Sequence, residues 1–303
     1  MSQNSGHNVG IELSTDSLCC VMLDGSRNVA ERSYVRLRKD DNPLTQVIEV
    51  VESTQEKHGP FATLGLAMPG LIDRGTNRVI HSTYFPEQTN GNLTQTIASA
   101  AGVEVLLEND ANAAAYGEFR MGVGRGCENM FYAMLQEGIG GAFIINGQLW
   151  RGAGGFAGEF GSVAVDSEGT RLEDVASSAN IVRRTRERVN RDSTSMLGRR
   201  EKEDLRVQDI IEAAKSEDDF AIMMLERTGA YVGTAIATVI NLLNPERIVI
   251  GGDIAEAGDL VMESLINKAR SLSFTRSFEH TKIAAGELGK AAAAIGVALL
   301  ASE

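Results

Sequence analysis

Cysteine is scarce in this sequence and carries no pairing pattern. Three residues, Cys19, Cys20 and Cys127, are all there is. They form no Cys-x-x-Cys pair, and so small and odd a set fits a reducing, cytoplasmic setting better than a disulfide framework. Positive charge is also short: 29 lysines and arginines stand against 41 acids, a net charge of -12 with a pI near 4.9. Most of such a surface repels phosphate backbones and anionic lipid, which argues against nucleic acid and membrane as partners, a local basic patch aside. No apolar run approaches the length that crosses a bilayer. The opening MSQNSGHN lacks the basic and apolar regions of a signal peptide and reads as a short frayed tail.

What is present is an alternation of strand and helix signals over 303 residues, a length that favours two domains. VGIELSTDSLCCVMLDGSRNVAERSYVRL holds two strand-like runs about a polar turn and a third after Asp24-Gly25, which predicts a small antiparallel sheet. Leu44, Val47, Ile48 and Val51 recur at helical spacing between Asn42 and His58, and FATLGLAMPG follows as a buried strand closed by Pro-Gly. A loop of turn formers then leads to a helix from Asn92 to Ala101 and the strand VEVLLEND. Sheet, helix, strand, helix, strand is an α/β chain.

The pattern then begins again. ENMFYAMLQEGIGGAFIINGQLWRG has the anatomy of the opening, with Asn146-Gly147 in the place of Asp24-Gly25, so the chain reads as two related halves. Beyond it come a glycine-rich segment and a charged helical region from Glu173 to about Ala230, interrupted near Asp192 to Gly198. An apolar helix YVGTAIATVINLLN follows, ended by Asn244-Pro245, then a strand RIVIGGDI and a closing helix GKAAAAIGVALLASE. The stretch VLLENDANAAAYGE places Asn109 and Asp110 where a buried strand turns into an alanine-rich helix. Asp110 is there a natural N-cap, and Asn109 a turn residue.

LGLAMPGLID, LLENDANAAAYGE, EGIGGAFIINGQLWRGAGGFAGEFG and NPERIVIGGDIAEAG, in that order, resemble the ROK family of bacterial sugar kinases and repressors from about Val9 to Leu300. The resemblance implies a two-domain actin-like ATPase fold, related to ribonuclease H, with a cleft between the domains. Its expected partition is a smaller domain of residues 1–120 plus 289–303 and a larger one of 121–288. It implies a hexose as substrate, glucose-like or an N-acetylated amino sugar, with ATP and Mg2+ as phosphate donor and counterion, and a homodimer. Asp110 becomes the general base that takes the proton of a sugar hydroxyl as its oxygen attacks the terminal phosphate, a role compatible with capping. Asn109, Glu159, Ser162 and Glu173 become sugar ligands, since paired carboxylates accept several hydroxyl hydrogens. A solvated or capping role is the alternative for Glu159 and Glu173. Tyr84, in STYFPEQ, stands where many relatives have asparagine and bears on which sugar is chosen.

The departures from the family cluster at zinc and phosphate positions. Kinase members have histidine in the place of Ser162 and three following cysteines; SVAVDSEGTRL has neither residue type, so no structural zinc is expected. The first phosphate loop, ordinarily Asp then Gly-Gly-Thr, is here Glu12 and Ser14-Thr15-Asp16. The second, ordinarily Gly-Thr-Gly-Ile-Gly-Gly, is Gln136-Glu137-Gly138-Ile139-Gly140-Gly141, and the glycine triplet near the adenosine is Gly251-Gly252-Asp253. Asp16 and Glu137 thus set anions toward a polyanion, unless both side chains point away and cap or solvate their turns. Two readings follow: an ATP-dependent hexose kinase, or a sugar-binding protein with weakened phosphoryl transfer that serves as a sensor or regulator. A DNA-binding repressor is a third and weaker reading, because those members add a winged helix-turn-helix before a first strand that here begins near Val9.

Overall fold

The computed structural model describes residues 7–38, 40–89, 91–189, 194–199 and 205–303. Residues 1–6 of the tail read as MSQNSGHN, and part of the interruption read between Asp192 and Gly198, lie outside them, while Asn8 at the end of that tail already opens a strand. The chain divides into two units. One comprises Met1–Arg125, Leu149–Ala157 and Leu288–Glu303, the other Gly126–Gln148 and Gly158–Glu287.

In the first unit β1 (Asn8–Leu13), β2 (Ser17–Leu23) and β3 (Val29–Arg36) form an antiparallel meander. Helix α1 (Pro43–His58) starts where Asn42 accepts the Leu44 amide and Pro43 has no N–H to leave unpaired. β4 (Thr63–Met68) then pairs parallel with β1. The loop expected next contains a hairpin, β5 (Leu71–Asp73) and β6 (Arg78–His81). Helix α2 (Leu93–Ala101) leads to β7 (Glu104–Asn109), parallel to β4, and directly to α3 (Asp110–Met121). The strand order is β3-β2-β1-β4-β7. β7 is an edge strand, and Asn77 covers it: its side-chain amide donates to the Val105 carbonyl at 2.7 Å and its oxygen accepts the Leu107 amide at 2.9 Å.

The second unit repeats the scheme. β8 (Met130–Leu135) and β9 (Ile139–Ile145) come first, and β10 (Gln148–Trp150) starts on the last residue of the segment Gly126–Gln148 and ends in the first unit; Asn146 and Gly147 both take positive φ, which suits a tight hairpin. Helices α4 (Leu172–Ala176), α5 (Ser178–Arg188), α6 (Val207–Lys215) and α7 (Asp219–Leu243) precede β11 (Arg247–Gly251). Helices α8 (Asp259–Leu272) and α9 (Thr275–His280) then lead to β12 (Lys282–Ala285). The order β10-β9-β8-β11-β12 mirrors that of the first sheet. The charged and apolar helices expected on either side of Ala230 are one helix, α7. Asp218 caps it by accepting the Ala221 amide, and Asn244, left-handed at φ 41°, ends it before Pro245.

The last helix, α10 (Ala292–Leu300), belongs to the first unit and packs on α3. A Cβ on Gly296 would lie 1.7 Å from the Ala113 carbonyl oxygen, and one on Gly117 2.4 Å from that of Ala292. The two backbones therefore touch, which is why both helices are rich in alanine. This contact fixes the axis of α3, and so the place of its first residue, Asp110. Among the described residues no helix is long and apolar enough to cross a membrane.

Candidate active site

In the first unit the candidate residues gather at the junction of β7 and α3. The cap of α3 is Asn109, whose side-chain oxygen accepts the Asn112 amide at 3.0 Å, and not Asp110, the cap suggested by spacing. The Asn109 amide nitrogen donates to the Gly70 carbonyl at 3.1 Å and to Asp110 Oδ1 at 3.0 Å. Asp110 Oδ1 also accepts its neighbour's amide, that of Ala111, at 2.9 Å. Asp110 is half-buried on the first turn of the helix, where the helix dipole favours its charge.

Beside this pair stands a residue that the sequence reading passed over. Glu108 is 1 % exposed. Its Oε1 accepts the Asn109 amide at 3.0 Å and the Asn112 side-chain amide at 3.1 Å; its Oε2 accepts Arg151 Nη2 at 2.6 Å, with Arg74 Nε at 3.9 Å. The one signal in the sequence was an acid at the end of an otherwise apolar run.

The first phosphate-loop position is the turn from β1 to β2. Glu12 is buried within β1. Burial first, and the Glu12 charge second, push the neighbouring Cys19 thiol up to about 12, so it stays protonated. Ser14 Oγ lies 2.9 Å from Ser17 Oγ and donates to the Ser17 carbonyl at 3.0 Å. The Asp16 carboxylate is turned back on its own turn, accepting Ser17 Oγ at 3.0 Å and Ser14 Oγ at 3.5 Å, while Thr15 is exposed.

In the second unit the turn Gln136–Gly138 joins β8 to β9, closed by the Gln136 amide on the Gly138 carbonyl, and Glu137 is exposed on it. A Cβ on Gly141 would meet the ring of Phe131 and the Cβ of Phe160, and one on Gly251 would lie 2.0 Å from the Tyr132 hydroxyl. Gly252, at φ 90°, approaches the Leu135 carbonyl. Core packing and backbone conformation thus require these three glycines whether or not a phosphate is near.

Glu173 ties two of the expected regions together. Its Oε2 accepts the Ile139 amide at 2.9 Å, so a residue expected at the sugar braces the strand that leaves the second phosphate turn. Glu159 precedes a short 3-10 turn, Phe160–Ser162, whose last residue is exposed. Loss of hydration, and then the Glu173 charge, raise the Glu159 carboxyl above its ordinary range. The loop after Ser162 is held by polypeptide contacts: Ala164 bridges Arg171, the Val165 amide donates to the Thr170 carbonyl, and Asp166 accepts the amides of Glu168 and Thr170. Hydrogen bonds, that of the Thr170 side chain foremost, hold the Asp166 carboxyl below its ordinary range. Among the described residues no group of three or more His, Cys, Asp or Glu side chains could hold a metal ion. Asn109 and Asp110 lie in one unit, and Glu159, Ser162 and Glu173 in the other.

Two like-ordered mixed sheets with helices between their strands are the actin-like ATPase architecture, and the chain belongs to the ROK family, whose model matches residues 8–303. It is 32 % identical over 314 residues to a glucokinase of Thermotoga maritima, covering 97 % of each chain. It is 27 % identical over 313 residues to the xylose repressor of Bacillus subtilis, covering 98 % of this chain and 77 % of the repressor. A crystal structure of a ROK family glucokinase from Streptomyces griseus in complex with glucose and AMPPNP matches with a TM-score of 0.88 at 25 % identity, covering 98 % of this chain and 99 % of that one. Its homologues thus include sugar kinases and repressors.

Replacing Glu173 with alanine removes a charge-assisted bond of about 1.5–3 kcal/mol. Hydrogen exchange at the Ile139 amide should then quicken by about tenfold or more, while amides inside β8 change little. An unchanged Ile139 rate would show that the brace contributes nothing.

Proposed function

We propose that the chain is a sugar kinase that transfers the terminal phosphate of ATP to a hexose hydroxyl, with Asp110 as the base. The observation that carries this reading is the division of labour at the head of α3: Asn109 caps the helix, so a carboxylate at Asp110 is not needed for capping. As the hydroxyl oxygen forms its bond to the terminal phosphorus, Asp110 takes the hydroxyl proton and ADP leaves with the electrons of the breaking bond. Asn109, Glu159, Ser162 and Glu173 bind the remaining hydroxyls. Glu173 shares its carboxylate between the sugar and the Ile139 amide, so sugar binding stiffens the second phosphate turn. Glu159 must be ionised to accept hydroxyl hydrogens; because its carboxyl is raised, sugar binding weakens as pH falls, beginning above the ordinary value of 4.5. The glucose and AMPPNP carried by the Streptomyces griseus glucokinase support a hexose and an adenine nucleotide as the ligands.

The fit of the nucleotide is uneven. The Thr15 hydroxyl and the amides of Gly138, Gly140 and Gly141 are suitable donors, the Ser14 hydroxyl becomes one on turning from the Ser17 carbonyl, and the carboxylates of Asp16 and Glu137 are not suitable. Magnesium would arrive with ATP, and Glu12, on the strand entering the first turn, would be the acid to hold it and so to neutralise phosphate charge. A coupled assay with a panel of hexoses, ATP and Mg2+ tests the reading. Turnover is expected with a glucose-like or N-acetylated amino sugar, and Asp110→Asn should remove at least nine-tenths of it while changing sugar affinity less. An Asp110→Asn variant that is fully active would rule out the base.

A second reading, a sugar sensor with weakened transfer, is favoured by Asp16 and Glu137. Exposed like charges about 4 Å apart in water repel by about 1 kcal/mol. Replacing Glu137 and Asp16 with threonine should therefore tighten ATP by about fivefold, with the gain shrinking in salt. Most of it should come from Glu137, since Asp16 is already occupied by Ser14 and Ser17. Weaker ATP binding would show instead that one of these acids helps to hold the nucleotide's magnesium.

A further inference from the structure

Glu108 is 1 % exposed and bound by a guanidinium, two residues before the one proposed as base. Residues that far apart along an extended chain are about 7 Å from each other. Its charge faces the guanidinium groups of Arg151, at 2.6 Å, and Arg74, at 3.9 Å. The other elements packed on α3 bring little charge: α10 reads AAAIGVALL and β4 reads TLGLAM. On β7 the other acid is Glu104, at the far end of the strand. Farther along α3 stand Glu118, whose carboxylate is bound to the amides of Val123 and Leu288, and Arg120, paired with Glu303. They are about 12 Å or more along the helix from Asp110. Among the charges named here, Glu108, Arg151 and Arg74 are those tied to the start of α3.

We propose that Glu108 and Arg151 are positioning residues that set the proton affinity of Asp110 by a balance of opposite charges. The negative charge of Glu108 makes Asp110 a better proton acceptor, and Arg151 with Arg74 restrains that effect so that Asp110 is ionised and ready in the resting protein. At such separations and an intermediate dielectric, one unit charge moves a carboxyl by on the order of one pH unit. The signs separate this role from simple bracing. Glu108→Gln keeps an acceptor for Arg151 but leaves the two guanidiniums of this corner without their anion, which favours the charged form of Asp110 and lowers its pKa. Arg151→Gln leaves the Glu108 charge without its near partner and raises it. The double variant restores the net charge, and the titration with it.

The proposal rests on Asp110 being the base, yet its test does not need turnover. The carboxyl 13C resonance of Asp110, identified by its disappearance in Asp110→Asn, is followed against pH in the full-length chain. Glu108→Gln should move its midpoint down and Arg151→Gln should move it up, each by about half a unit or more, with the double variant near the wild type. Arg74 is more exposed than Arg151, so Arg74→Gln leaves the buried pair intact and gives a smaller upward shift even if a variant of the buried pair does not fold. Single variants that leave the midpoint unmoved, or move it in one common direction, would overturn the proposal. If hexose turnover is found, the acid limb of kcat/KM should shift with the resonance. Absence of turnover with unchanged opposite shifts would overturn the kinase reading and leave the charge balance standing.

Discussion

A carboxylate cannot be removed from water without replacements for its hydration, and the corner at the end of β7 is organised by that requirement. The effective penalty for a buried charge is several kcal/mol, and breaking one side of a buried pair costs about 3–5 kcal/mol. Glu108 meets it with a guanidinium from residue 151, a side-chain amide from the first turn of α3 and the amide of its own neighbour. All three must be present at once, so strand end, helix start and the segment Leu149–Ala157 are held together as one piece. Asn109 and Asp110 follow Glu108 in the chain and have little freedom once it is fixed. The backbone contact between α3 and α10 supplies the other half of the constraint by setting the direction of the helix.

Much of this fold was legible in the amino-acid sequence because its core strands are continuous apolar runs and its first helix has a clear period. The repeat of strand, turn, strand before Asp24-Gly25 and Asn146-Gly147 corresponds to two sheets of one order. The hairpin of β5 and β6 was not legible. Three and four residues are too few to show an alternation, and what secures the hairpin is the Asn77 side chain docked on β7, a contact spanning 28 residues. The continuity of α7 was missed for another reason: its composition changes from charged to apolar near Ala230, but nothing there breaks a helix, and composition reports burial more than backbone.

At the candidate site, sequence located the junction of strand and helix but not the assignments within it. Asp110 and Asn109 are both good caps, and only the geometry shows that Asn109 does the capping. The bond from Ile139 to Glu173 joins residues 34 apart, and that from Arg151 to Glu108 joins residues 43 apart, distances at which no local pattern exists. The glycines teach a different lesson. Gly141, Gly251 and Gly252 look like remnants of phosphate loops, yet each is demanded by a ring or a carbonyl of its own unit. Their persistence therefore says nothing about the nucleotide, and the substitutions at Asp16 and Glu137 are the informative positions.

We propose a hexose as the ligand of this chain, whether or not efficient transfer accompanies its binding. Calorimetric titration of the chain with glucose, mannose and their N-acetylated amino derivatives, with and without ATP, tests it most directly. At least one sugar is expected to bind at millimolar concentration or tighter, with affinity falling as pH is lowered toward the carboxylate range. Absence of binding by every sugar under both conditions would contradict it.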